Sequence, residues 1–182
     1  MVCSTTGIIR NHRGFIGHSL KILFLDHYGV MCLSVREIVR TEHSMPTSDE
    51  FSYTALVTGL HNFDPAAVDV LNQLLHTTGA EIVVSSDWKL RATLHQMSEF
   101  YQAQGVTKPP IDATAWLPNY SSYHAQRAHE IADWLGQHPA VTHWAAVDDL
   151  YLGSWLTNFV WAKNVHLGIT DPDVQQQLRI YF

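Results

Sequence analysis

The stretch KILFLDHYGVM, residues 21–31, decides how this chain folds. KILFL, 21–25, is a short apolar run that stops abruptly on Asp26, with His27, Tyr28 and Gly29 behind it. A continuous apolar run bounded by polar residues is what a strand buried on both faces of a parallel sheet looks like. Working outward, Asp64, Pro65, the apolar positions Val68, Leu71, Leu74 and Leu75, and then Gly79 predict a capped helix over 64–79. EIVVSS, 81–86, reads as a second buried strand. Leu90, Leu94, Met97 and Tyr101 mark the next helix, with Gly105 past its end. An edge strand is expected within 111–117 and a helix over 125–135, with Ala128, Ile131, Trp134 and Leu135 facing inward. THWAAV, 142–147, predicts a further strand that breaks off at Asp148 and Asp149. A short strand near 159–162 and a terminal helix from about Asp171 complete the order.

Strands alternating with helices of this length imply parallel crossover units, hence a three-layer α/β sandwich with a Rossmann-like, mostly parallel sheet. The 182 residues suffice for one domain with a real core, and 46% hydrophobic against 15% charged residues is an ordinary globular balance. The formal net charge of −6 argues against an extended nucleic-acid-binding surface. No run approaches the roughly 18 apolar residues of a membrane span. Cys3 and Cys32 lack metal-site spacing and predict free thiols in a reducing compartment, so a soluble cytoplasmic protein is expected. Residues 1–20 carry Arg10 and Arg13 without an acid or an apolar signal core, and read as an N-terminal extension. The fold proper is expected over 21–182.

Three predicted strands end on polar groups: Asp26, the Ser85–Ser86 pair, and the Asp148–Asp149 pair. Ligands of such sheets bind outside the carboxyl ends of the strands, so these distant residues are expected to meet at one edge. The chemistry they support there is phosphoryl transfer. Asp26 suits an aspartyl nucleophile. Ser85 and Ser86 offer hydroxyls and backbone N–H groups to phosphate oxygens. Asp148 and Asp149 suit Mg2+, which takes one or two carboxylates with substrate oxygens and water. A cation must hold nucleophile and substrate together, and Lys89 and Arg127 are the candidates, Arg127 being favoured because its fork matches a phosphate.

LFLDHYGV, IVVSSDWK and WAAVDD resemble, in order, the first, second and fourth motifs of the haloacid dehalogenase-like (HAD) hydrolase superfamily. With TGAEIVVSSDWK and the pattern Arg127, Glu130, Ile131, Trp134, Leu135, the chain looks like the small HAD domains found alone or inside multifunctional RNA-repair proteins. The resemblance covers roughly residues 21–170 and implies a Mg2+-assisted aspartyl-phosphate mechanism. Its substrates would be small phosphorylated molecules or nucleic-acid ends. It makes Asp26 the nucleophile, Ser85 the phosphate-binding hydroxyl, Arg127 the motif's lysine or arginine, and Asp148 and Asp149 metal-binding acids. The backbone carbonyl of Tyr28 would be a further metal ligand. It also implies a small cap or flap over 31–63, in which Arg36, Arg40 and His43 either meet substrate or lie on a solvated surface loop.

Tyr28 departs from the pattern. Phosphatases of the superfamily carry a second aspartate there as acid and base, and a phenol with a pKa near 10 is a poor base at neutral pH. The expectation is therefore a phosphohydrolase or phosphotransferase with an impaired hydrolytic step. The alternatives are an inactive HAD-fold binding domain, or a metal-free dehalogenase of the kind that carries tyrosine at this position. His27, adjacent to the nucleophile, should point to the opposite side of an extended chain. Among the six tryptophans, Trp134 and Trp144 read as core, while Trp88 and Trp116 lie where they could border a pocket.

Overall fold

The structure, a computed structural model, describes residues 20–33 and 62–182. Among the described residues, five strands and four α-helices form the fold, the strands making one parallel sheet: β1 (Leu20–Leu25), β2 (Glu81–Val84), β3 (Asp112–Ala113), β4 (Val141–Asp148) and β5 (Phe159–Trp161), in the order β3-β2-β1-β4-β5. The helices are α1 (Pro65–Thr78), α2 (Leu94–Ala103), α3 (Tyr123–Gln137) and α4 (Pro172–Ile180). The period-2 alternation of β1 sorts its side chains between two cores. Leu23 and Leu25 pack with the buried faces of α1, α2 and α4, while Ile22 and Phe24 pack with Ala128, Ile131 and Trp134 of α3. The sheet is thus covered on both faces, as the unbroken apolar strands require. Among the described residues no helix is long and apolar enough to cross a membrane.

Local chemistry sets the helix boundaries. The Asp64 carboxylate accepts from the N–H groups of Ala66 and Ala67, Pro65 opens α1, and Gly79 closes it at φ 73 with its N–H on the Leu75 carbonyl. Ser122 caps α3, and Asp171 with Pro172 opens α4. The one real displacement follows β2. That strand stops at Val84 rather than running to Ser86, because the Ser86 hydroxyl caps a 3-10 turn over Asp87–Leu90 by accepting from the Trp88 N–H. Leu90 ends that turn, and α2 starts separately on a capping box made by Thr93 and Gln96. Strand β1 begins one residue early, at Leu20, and residues 1–19 of the expected extension lie outside the described residues. So do residues 34–61, most of the expected cap, with Arg36, Arg40 and His43. The ends of that insertion belong to the main core, since Met31, Cys32 and Phe63 are buried in it. Trp134 is buried as expected, whereas Trp144 is only half-buried, and Trp88 is a core residue rather than a pocket border.

Strand order fixes where a ligand can enter. The chain runs from β1 outward through β2 to β3, then crosses to β4 on the other side of β1 and continues to β5. The reversal point lies between β1 and β4, and sheets of this kind bind ligands outside the carboxyl ends at such a point.

Candidate functional site

The register of β1 with its neighbours places the polar strand ends side by side. Leu25 pairs with Val84 on one side and Val147 on the other, so the next residues are Asp26, Ser85 and Asp148. Backbone bonds continue the ladder one step further: Ser85 N–H to the Leu25 carbonyl at 3.1 Å, and Asp26 N–H to the Val147 carbonyl at 3.2 Å. Past Asp26 the His27 carbonyl accepts from the N–H groups of Val30, Met31 and Cys32, which folds the chain into a tight turn. Gly29 stands in that turn at φ 70, where a Cβ would lie 2.9 Å from the Asp149 Cβ. A side chain at position 29 would push the fourth strand's acids away from Asp26.

Alternation along β1 sends Asp26 toward the α3 side and His27 toward the other. His27 is fully buried, tilted against Trp88 with ring centroids 4.0 Å apart and hydrogen-bonded through Nε2 to the Tyr101 hydroxyl at 2.6 Å. Burial, reinforced by Arg127, pushes its pKa down to about 3, so it stays neutral at physiological pH. Asp26 instead meets Arg127 from α3. The Arg127 Nη1 group donates to Asp26 Oδ1 and to Asp148 Oδ2, each at 2.8 Å, and Nη2 donates to Asp87 Oδ1 at 3.1 Å and to the Tyr123 hydroxyl at 2.9 Å. The Tyr123 hydroxyl donates in turn to Asp87. One buried guanidinium therefore ties together the ends of β1 and β4, the turn after β2 and the first turn of α3.

Lys89, the other cation proposed from sequence, does not reach this group of acids. Its Nζ pairs with buried Glu130 at 2.5 Å and donates to Thr114 Oγ1 at 2.7 Å and to the Ser85 carbonyl at 3.2 Å. Glu130 also accepts from the Leu117 N–H and from Gln126. That network braces the turn after β2 against α3. Ser86 is spent on capping. Ser85 is different: its Oγ is buried and has no hydrogen-bond partner, an arrangement that costs free energy unless a ligand supplies one.

Charge at the mouth is unbalanced. Asp26, Asp148 and Asp149 each offer a carboxylate oxygen to one place, all within 4.8 Å of one another. Burial raises the pKa of Asp26 in spite of Arg127, and the Asp87 charge adds to the rise. Asp148 is raised well above the usual carboxylate range, by burial first and then by Asp26. Three crowded oxygen donors beside a single arginine fit a hard divalent cation, which would offset both the repulsion and the desolvation. Tyr28 is half-buried against the main core, its ring edge-on to Trp88, and burial raises its pKa, so the phenol stays protonated.

Asp87 and Tyr123 escaped the sequence reading, although a signal was present. Tyr123 precedes Arg127 by four residues and so shares its helix face, and Asp87 directly follows the two serines. Removal of Arg127 is expected to be costly. An Arg127→Met variant leaves Asp26 and Asp148 without a counter-charge, and its stability should fall by about 3–5 kcal/mol. A urea midpoint shift equivalent to less than about 1 kcal/mol would show that the pairs contribute little. Arg127→Lys should recover only part of the loss, because one ammonium lacks the two-pronged geometry.

A family model described as the HAD domain in Swiss Army Knife RNA repair proteins matches residues 22–174. No curated protein matches the chain, and no solved structure does.

Proposed function

Because the chain belongs to the HAD domains of Swiss Army Knife RNA repair proteins, we propose that it is a Mg2+-dependent phosphohydrolase or phosphotransferase with Asp26 as nucleophile. The observation that carries this reading is the shared Arg127 Nη1 group, which aligns Asp26 with Asp148 beside the unpartnered Ser85 hydroxyl. Asp26, Asp148 and Asp149, with the Tyr28 backbone carbonyl, would hold the ion. When bound, Mg2+ supplies charge neutralisation for the phosphoryl oxygens and the carboxylates.

The chain's own residues do the rest. Arg127 keeps one Asp26 oxygen fixed and leaves the other carboxylate oxygen as the attacking atom. That oxygen forms a bond to phosphorus as the bond to the leaving oxygen breaks, and the departing oxyanion takes a proton from water. Ser85 donates to a phosphoryl oxygen and thereby satisfies its buried hydroxyl. Water then cleaves the acyl phosphate, releasing phosphate and restoring Asp26. No carboxylate at position 28 assists either proton transfer, so turnover is slow, and transfer to an acceptor other than water becomes competitive. The family's place in RNA repair proteins supports a phosphate on a nucleic-acid end over a free metabolite. Metal-free dehalogenation fits poorly, since a departing halide would face a cluster of carboxylates.

The test is phosphate release from a panel of phosphoesters, including 5′- and 3′-phosphorylated oligonucleotides, with Mg2+ or with chelator. Release only with Mg2+ is expected, and Mg2+ alone should raise the melting temperature, as any ligand of the native state does. Silence across the panel together with an unmoved melting temperature would remove both the activity and the metal. Silence with a clear Mg2+-induced shift would instead favour a binding domain, the reading that Tyr28 independently motivates.

A further inference from the structure

We propose that Tyr151, Trp161 and Lys163 form a stacking platform for the terminal nucleotide of a single-stranded nucleic acid whose end phosphate enters the acidic mouth. This deepens, and rests on, the phosphoryl-transfer reading above.

Large aromatic side chains are normally buried. Among the described residues, the aromatics left between 38% and 47% exposed are Trp116, Tyr120, Tyr151, Trp155 and Trp161. Four of the five share a placement, Trp155 lying instead in the middle of the β4–β5 connection. Trp116 and Tyr120 follow the carboxyl end of β3, Tyr151 follows that of β4, and Trp161 is the last residue of β5. The exposed rings are concentrated at the sheet edge that carries Asp26, Ser85 and Asp148.

Trp161 is joined directly to the acidic mouth. It pairs in register with Asp148, and its indole N–H donates to the Asp149 backbone carbonyl at 3.0 Å. The Asp149 carboxylate belongs to the group that faces Asp26. A group esterified to a phosphate held there would leave the mouth at the same end of the sheet as this ring. Tyr151 stands beside Trp161 with ring centroids 5.0 Å apart at 67°, and the Lys163 ammonium lies 5.6 Å from the Trp161 ring centre.

Exposed aromatic rings, one of them with an ammonium over it, match a ligand that carries both a π-surface and an anionic backbone. The net charge of −6 rules against a long basic groove, so the platform would engage one or a few nucleotides. Stacking accepts any base, so little sequence preference is expected.

The experiment is fluorescence anisotropy in Mg2+ with labelled RNA and DNA tetranucleotides ending in a non-hydrolysable phosphonate, set against the affinity for inorganic phosphate. The wild type should bind the oligonucleotide more tightly than phosphate. Tyr151→Ala combined with Trp161→Ala should lower the oligonucleotide-to-phosphate affinity ratio at least about tenfold, the order expected for one lost stack. Lys163→Glu should lower it too and flatten the salt dependence. That variant leaves the Trp161–Asp149 bond alone, so its effect does not pass through a disturbed metal loop. Unchanged ratios in both variants would overturn the platform. So would a wild type that binds phosphate as tightly as the oligonucleotide, with the phosphoryl site still standing. A concentration-dependent dimer abolished by Lys163→Glu would assign the surface to a second copy and overturn it as well. Oligonucleotide binding lost in the variants, without turnover of any phosphoester by the wild type, would keep the platform and remove the enzyme reading.

Discussion

Asp26→Asn should abolish phosphate release, lowering it by at least about 10⁴-fold, because the amide cannot form the acyl phosphate on which both half-reactions depend. The substitution is close to isosteric, and its effect on folding should be small and separable. Arg127 exchanges a charged acceptor for the neutral amide oxygen and keeps Asp148 and Asp87. In exchange, a carboxyl whose ionisation burial already opposes is replaced by a neutral group, and Asp148 loses a repelling neighbour. The metal-free variant should therefore melt within a few degrees of the wild type. The Mg2+-induced rise in melting temperature should shrink, because one of the three oxygen donors has lost its charge.

The pH dependence of stability gives the same prediction a second readout. Asp26 and Asp148 both have folded pKa values raised above the ordinary 3.8. In the window above 3.8 the native state thus holds more protons than the unfolded chain, and the contribution of these two groups to stability falls as pH rises through the raised values. With chelator present, the urea midpoint should decline from acid toward neutral pH. With Mg2+ the decline should flatten, and in Asp26→Asn it should be weaker from the start. A variant that keeps turnover within tenfold of the wild type would strip Asp26 of its role, whatever the stability curves show.

The scaffold of this site was legible in the sequence because it depends on local signals. Apolar runs stopped by Asp26, Ser85 and Asp148 mark strand ends, and parallel pairing brings strand ends together. The capped helix 64–79 and the order of elements follow from the same kind of signal, and the family match over 22–174 agrees with the superfamily those motifs resemble. What stayed hidden depends on tertiary reach. The apolar spacing of α3 places Ile131 and Trp134 inward, but nothing in that spacing says which carboxylates the Arg127 fork will find. The division of labour between the two cations was also invisible. Lys89 and Arg127 look alike as isolated charges, and only the approach of Glu130 and Thr114 commits Lys89 to bracing the turn. Ser86 shows the limit from the other side, since one hydroxyl cannot both cap a turn and be free for phosphate.

Tyr28→Asp should raise steady-state phosphate release by about 10²–10⁴-fold, the usual worth of a positioned acid and base. The tyrosine itself can serve neither proton transfer. Burial raises its pKa, so the phenol accepts no proton from water at neutral pH, and the neighbouring His27 is neutral, faces away and is bonded to Tyr101. The turn that carries position 28 is fixed independently of its side chain, by the His27 carbonyl bonds, the Tyr28–Cys32 bridge and Gly29 at φ 70. A carboxylate placed there inherits that fixed backbone position, two residues past Asp26. Losing the half-buried ring and its contact with Trp88 costs some packing, and a further acid adds to the repulsion, so the gain should appear only with Mg2+ present. Burst kinetics locate the effect: in the wild type the first turnover should outrun the later ones, and in Tyr28→Asp the two rates should converge. If the wild type turns over and the aspartate changes nothing, another group already moves the proton. If the wild type is silent and the aspartate brings activity, the fold, the metal ligands and the nucleophile are intact, and one side chain separates a binding domain from an enzyme.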